Sequence, residues 1–221
     1  MDTQRRALAN FNFSQKYARY DAGKKRRESW HESVDRVMEM HRNHLNSKGE
    51  DHLAEALNVE LHSITNAYKN RLLLGSQRSL QFGGQAVLKK HARSYNCTAC
   101  YVDRPSRFAQ SLYLLLCGAG VGYSVQDHHV AQLPNIRNKD TLLNLSYDRF
   151  IVEDTIEGWA DALDALIDAY MGTRVTLPDF DFSQIRPKGS PIHSCGGQAP
   201  GPYPLRVMLQ QAELLLSERA G

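Results

Sequence analysis

Cysteine is scarce: Cys97, Cys100, Cys117 and Cys195 are the only four among 221 residues, too few for a disulfide scaffold. Long apolar runs are missing as well. The longest stretches, such as Tyr113 to Cys117, fall far short of the roughly 20 residues that span a bilayer, so no transmembrane helix is expected. The amino terminus, MDTQRRALANFNF, lacks the apolar core of about 7 to 15 residues that marks a secretory signal, which makes a cytoplasmic, reducing location the expectation. Charge of one sign is also lacking: 27 Lys+Arg against 24 Asp+Glu leave a net +3, a weak footing for nucleic-acid binding. There is no internal repeat and no low-complexity tract. What remains is globular: a chain that is 42% hydrophobic and long enough to bury about 70% of its unfolded surface.

Apolar periodicity organises the first third. Trp30, Val34, Val37 and Met38, continuing through Leu45, predict an amphipathic helix beginning near Glu28. The basic cluster Lys24 to Arg27 precedes it and, with acids following, reads as a solvated helix start rather than a nucleic-acid patch. From Glu50 to Leu74 a second pattern (Leu53, Leu57, Leu61, Ile64, Tyr68, Leu72) predicts another helix, with Gly75 placed to cap its end. The texture then changes. SQRSLQFGGQAVLKKHARSYNCTACYVDRP predicts a loop followed by one or two strands, Phe108 to Cys117 a helix, and GVGYSV a strand after a glycine turn. Helix, glycine turn and strand in that order are α/β grammar. Residues 131 to 149 suggest a loop or short hairpin. VEDTIEGWADALDALIDAYMG then places Ile156, Trp159, Leu163, Leu166, Ile167 and Tyr170 on one helical face, ending at Gly172. A Pro- and Gly-rich stretch over 173–204 leads to a last helix, PLRVMLQQAELLLSERAG.

Cys97 and Cys100 form a C-x-x-C, which raises a redox pair or half of a zinc site. On a strand, residues three apart point to opposite faces, so only one of these thiols can face a given site. Zinc also lacks a second ligand pair at finger spacing, and no metal site is expected. One functional cysteine with a partner elsewhere is the better reading, the others being packed thiols. The turn CGAGVGYS has its glycines before a strand instead of between strand and helix, so it misses the dinucleotide fingerprint. Alternating glycines can admit a ligand to the backbone, or can simply serve tight packing. RPKGSPIHSCGGQAPGP (186–202) can hold a phosphate through Arg186 and Lys188, or can be a plain surface loop.

Taken in series, YARYDAGKKRRESWHESVDRVMEMH, RSLQFGGQAVLKKHARSYNCTACYVDRP, YLLLCGAGVGYSVQDHHVAQLP, VEDTIEGWADAL, FDFSQIRPKGSPI and GGQAPGP resemble the amino-terminal half of adenosylcobalamin-dependent (class II) ribonucleotide reductases of the monomer-like type. The resemblance runs from about Phe13 to near the end. It implies an α/β fold: a helical region over 1–75, then, over 76–221, the first half of a ten-stranded α/β barrel with an effector-site insertion at about 131–185. It implies reduction of a ribonucleoside di- or triphosphate by a thiyl-radical mechanism that uses adenosylcobalamin. It makes Cys97 one of the reducing pair and sets Asn96, Ala119 and Gly120 at the substrate. Asp103, Arg186 and Lys188 fall at the site of a deoxynucleotide effector, and the acidic helix from Glu153 to Tyr170 resembles an insertion that replaces a dimer contact. The family's thiyl cysteine, second reducing cysteine and most cobalamin contacts have no match here. A carboxy-terminal partner fragment is therefore expected, in a split enzyme inactive as this chain alone, with a dithiol such as thioredoxin as reductant and no membrane or direct nucleic-acid partner. The alternative is a nucleotide-binding or regulatory module without catalysis; a thioredoxin-like oxidoreductase is a third.

Overall fold

The computed structural model describes residues 3–47, 51–192 and 197–220. They divide into two compact units: the first runs to Tyr95, the second from Asn96 to the end of the described chain.

The first unit is helical. Helix α1 spans Thr3–Lys16, a small antiparallel pair follows (β1, Tyr20–Asp21; β2, Arg26–Arg27), and α2 spans Trp30–Asn46. A capping box starts α2: the Glu32 amide donates to Ser29 Oγ at 3.3 Å and the Ser29 amide donates to Glu32 Oε2 at 2.7 Å. Glu32 also receives Lys24 at 2.7 Å and Arg26 at 2.8 Å, so the basic cluster is partly neutralised at the helix start. Val34, Val37, Met38, Tyr68 and Leu80 form the core, with Trp30, Leu61 and Leu73 packed around it. Helix α3, Asp51–Lys69, stops short of Gly75. Its end is made by Arg71, which takes the left-handed conformation (φ 59°), while the Leu72 amide reaches back to the Ala67 carbonyl at 2.9 Å. Gly75 instead lies against a ring, since a Cβ there would sit 3.3 Å from the Tyr68 hydroxyl. The stretch expected as a loop holds two short helices, α4 (Gln77–Phe82) and α5 (Gln85–Lys89), and a 3-10 turn.

A polar network sits beside this core. Arg36 donates to both carboxylate oxygens of Glu28 at 2.7 Å and to the carbonyls of Leu80 and Gly83 at 2.7 and 2.9 Å, while the Ser33 hydroxyl donates to Glu28 at 2.7 Å. Burial raises the pKa of Glu28, but the hydrogen bonds from Arg36 and Ser33 outweigh it and hold the carboxyl below its ordinary 4.5.

The second unit contains two β-α-β crossovers. Strand β3 (Cys97–Tyr101), helix α6 (Ser106–Leu116) and strand β4 (Gly120–Ser124) make a parallel pair in the order expected from the glycine turn. After the short helices α7 (Asp127–Val130) and α8 (Lys139–Leu143), strand β5 (Ser146–Ile151), helix α9 (Ile156–Met171) and strand β6 (Thr176–Asp181) make a second parallel pair. Helix α10 spans Tyr203–Arg219. Two strands thus correct the sequence reading. The segment read as a loop or short hairpin holds α8 and the start of β5, and the Pro- and Gly-rich stretch holds β6. Pro178 lies inside β6, which is tolerable because a strand paired on one side need not donate from every amide. The described strands form three two-stranded sheets, so they do not themselves close a ten-stranded barrel. None of the described helices is long and apolar enough to cross a membrane.

Helix α9 organises this core. Leu163, Leu166, Ile167 and Tyr170 pack with Leu177, Ile185, Leu205 and Leu209. Its carboxy-terminal end is closed by Arg137, whose guanidinium donates to the carbonyls of Ala169 at 3.0 Å and of the capping Gly172 at 2.8 Å, and to that of Arg174 beyond the helix at 2.5 Å. At its first turn a Cβ on Gly158 would lie 2.7 Å from the Glu153 carbonyl oxygen and 2.8 Å from the Glu153 Cβ. Backbone cannot yield as a flexible side chain does, so Gly158→Ala is expected to destabilise the second unit by about 1–3 kcal/mol. Thermal unfolding followed by circular dichroism tests this, and an unchanged midpoint would contradict it.

Candidate functional site

The register of β3 and β4 sets Cys97 beside Gly120, Ala99 beside Gly122 and Tyr101 beside Ser124. Because the side-chain period is two, these residues share one face. On β3, Cys97, Ala99 and Tyr101 are exposed while Thr98 and Cys100 are half-buried. Cys100 lies on the other face, with its Sγ 3.6 Å from the Ser111 hydroxyl of α6. The two sulfurs of the C-x-x-C therefore do not converge. Cys117 is fully buried, and Cys195 lies outside the described residues.

The Cys97 face is low and open. Gly120 and Gly122 are exposed, and neither is required by the chain's own packing: an added Cβ would meet only the Asn96 carbonyl at 3.8 Å and the Thr98 carbonyl at 3.7 Å, ordinary contacts. Glycine in a strand interior costs stability, so two of them in β4 call for something that must approach from outside. Gly118 is different. It has a φ of 93° after α6, and its amide and that of Ala119 close the helix on Leu115 and Leu114. Ala119 is itself buried. Asn96 is exposed, and its carbonyl accepts the Gly120 amide at 2.8 Å, tying the start of β4 to the residue before Cys97. So the structure brings Asn96, Cys97 and Gly120 together, with Ala119 beneath them. At the far end of the face, the Tyr101 ring stacks on His129 at 4.3 Å, and His129 Nδ1 is 3.1 Å from the Ser124 hydroxyl. His129 had no expected role from the sequence.

The residues expected at an effector are placed separately. Asp103 lies 3.4 Å from both Arg104 and Arg107, at the entry to α6. Arg186 follows β6 and pairs with Asp154, which precedes α9. That pair joins the ends of the second crossover. Lys188 is exposed, and no ion pair joins it, Arg186 and Asp103 among the described residues. Nearby, Asp181 is held down to about 2 by its bond from Arg149 and by the Ser183 amide.

A thiol on an exposed strand, backed by a crossover helix and flanked by glycines, belongs to an α/β protein with the fold of a class II ribonucleotide reductase. That fold is shared, at a TM-score of 0.77 and 24% identity, with the crystal structure of a B-12 dependent (class II) ribonucleotide reductase, over 96% of this chain and 37% of that one. Residues 124–216 match the family described as B12-dependent ribonucleotide reductase, insertion domain. The adenosylcobalamin-dependent ribonucleoside-triphosphate reductases of Lactobacillus gasseri and Lactobacillus leichmannii are each 29% identical to it, over 95% of this chain and 36% of their own length. A putative enzyme of the same description from Mycobacterium phage D29 is 27% identical over 88% of this chain. The chain is a class II ribonucleotide reductase-like region, spanning about a third of the length of the curated relatives it matches.

Proposed function

We propose that this region forms the substrate-side part of a class II ribonucleotide reductase, with Cys97 as one of its two reducing thiols. The observation that supports it most is the pairing of an exposed Cys97 with Gly120 and Gly122 on a face where the chain's own packing needs no glycine. A nucleotide sugar can lie flat against such a face. The chemistry asked of Cys97 is a two-electron reduction: two thiols become one disulfide, the ribose 2′ carbon–oxygen bond breaks, and the hydroxyl leaves as water. Asn96 and Gly120 would bound the sugar, with Ala119 holding the turn behind them.

When bound, adenosylcobalamin supplies the radical that starts this chemistry. No described residue matches the family's thiyl cysteine or second reducing cysteine, so we assign these, with the cofactor, to the remainder of the reductase, as a carboxy-terminal partner fragment. A ribonucleoside di- or triphosphate is the substrate, a dithiol such as thioredoxin the reductant, and a deoxynucleotide the effector. Arg186 serves the effector only indirectly, through its tie to Asp154, while Lys188 has no ion pair among the described residues.

Gly120→Ala tests the face. Its Cβ has room within the chain, so the unfolding midpoint should stay within about 0.5 kcal/mol, while KM in the complemented enzyme should rise about tenfold or more from the methyl's contact with substrate. A KM unchanged within twofold would remove the glycine argument.

A further inference from the structure

The first unit holds a cavity of about 300 Å³ between α1, α2 and α4, remote in sequence from Cys97. Its walls are mainly apolar and aromatic, with Phe13, Tyr17, Trp30 and Leu80 among them, and among the described residues Arg71 is the one charged residue of the lining. The Arg71 guanidinium lies over the Trp30 ring, 5.0 Å from its centroid, and donates to Asn10 Oδ1 at 2.6 Å. No carboxylate pairs with it among the described residues, leaving most of its donors uncommitted. Arg71 also holds the left-handed conformation that ends α3, at φ 59°, a position where glycine is the usual choice. Its contacts with Asn10 and Trp30 hold the side chain at the cavity wall.

We propose that this cavity binds a planar aromatic anion, its ring among Phe13, Tyr17 and Trp30 and its negative group at Arg71. An apolar pocket with few polar groups at one side is the usual form of a small-ligand site. A flat ring meets aromatic walls edge-on or offset, and a single unopposed guanidinium selects a carboxylate or phosphate. The inference stands apart from the reductase reading, since it uses none of the residues of the Cys97 face.

The test uses the full 221-residue chain with its tryptophan indoles labelled with nitrogen-15. Indole-3-acetate is the probe, with indole and acetate as half-probes. Of the two indole resonances, that of Trp30, whose Nε1 donates to the Tyr68 carbonyl at 3.1 Å, should shift saturably with indole-3-acetate, about tenfold more weakly with indole and not at all with acetate. The Trp159 resonance should stay still. Arg71→Gly should weaken indole-3-acetate about tenfold or more without lowering the unfolding midpoint. Should that variant loosen α1, Asn12→Asp decides instead: this exposed lining residue leaves the Arg71 contacts in place, and its charge should weaken indole-3-acetate at least about threefold while sparing indole. No saturable Trp30 shift at millimolar probe, or equal binding by these variants and the parent chain, overturns the proposal.

Discussion

Replacing Cys97 by serine should abolish deoxynucleotide formation in the complemented reductase, lowering turnover at least about a thousandfold, or about 4 kcal/mol of barrier. Serine keeps the size and hydrogen-bonding capacity of the side chain but cannot enter a disulfide, so the two electrons have no donor. The fold should not notice: Cys97 is exposed on β3 and no packing depends on it, so the unfolding midpoint should move by less than about 0.5 kcal/mol. Cys100→Ser is the control. Its thiol faces α6, 3.6 Å from the Ser111 hydroxyl, and its loss should leave turnover within about threefold. Product formation with adenosylcobalamin and a dithiol, measured on assembled complexes, separates the two. Normal turnover by Cys97→Ser would remove the role proposed for it.

A second large effect belongs to the first unit. Arg36 and Glu28 are mostly buried, with side chains 17% and 14% exposed, and Arg36 also serves the Leu80 and Gly83 carbonyls. Arg36→Ala leaves a buried carboxylate and two carbonyls without their donor, and should destabilise this unit by about 3–5 kcal/mol. Replacing both partners by apolar residues should cost less than Arg36→Ala alone, a non-additivity that a double-mutant cycle reads directly. The pH dependence has a fixed sign. Glu28 is held below its ordinary 4.5 in the fold, so its stabilisation is full above that value and fades as the pH falls through it toward the folded pKa. Urea midpoints at pH 7 and pH 4 should therefore converge between parent and Arg36→Ala. A constant gap would mean that the pair's charge is not what holds the unit.

The sequence was most legible where one local signal dominated. The apolar spacing of Trp30, Val34, Val37 and Met38 announced α2, and the apolar stripe from Ile156 to Tyr170 announced α9. Alternation alone separated Cys97 from Cys100. The failures were of two kinds. At the end of α3, Gly75 looked like the cap, yet Arg71 accepted the left-handed conformation because its side chain gains Asn10 and Trp30. Strands β5 and β6 were hidden by Pro178 and by charges at Asp148, Arg149, Asp179 and Asp181; Arg149 finds Asp181 across the paired strands, and Asp148 finds Arg174 just before β6. The aromatic and β-branched content of Tyr147, Phe150 and Ile151 was the signal that could have found β5. Within the candidate site, no local signal could show that Arg186 would be occupied by Asp154, because that contact joins segments on either side of α9.

The most direct test is nucleotide reduction with adenosylcobalamin and a dithiol, comparing this chain alone with this chain plus the carboxy-terminal remainder of a matching class II reductase. Deoxynucleotide should form in the mixture and not from the chain alone. Product from the chain alone would contradict the assignment of the thiyl cysteine and cofactor to the remainder, and no product from a demonstrated complex would contradict the catalytic role itself.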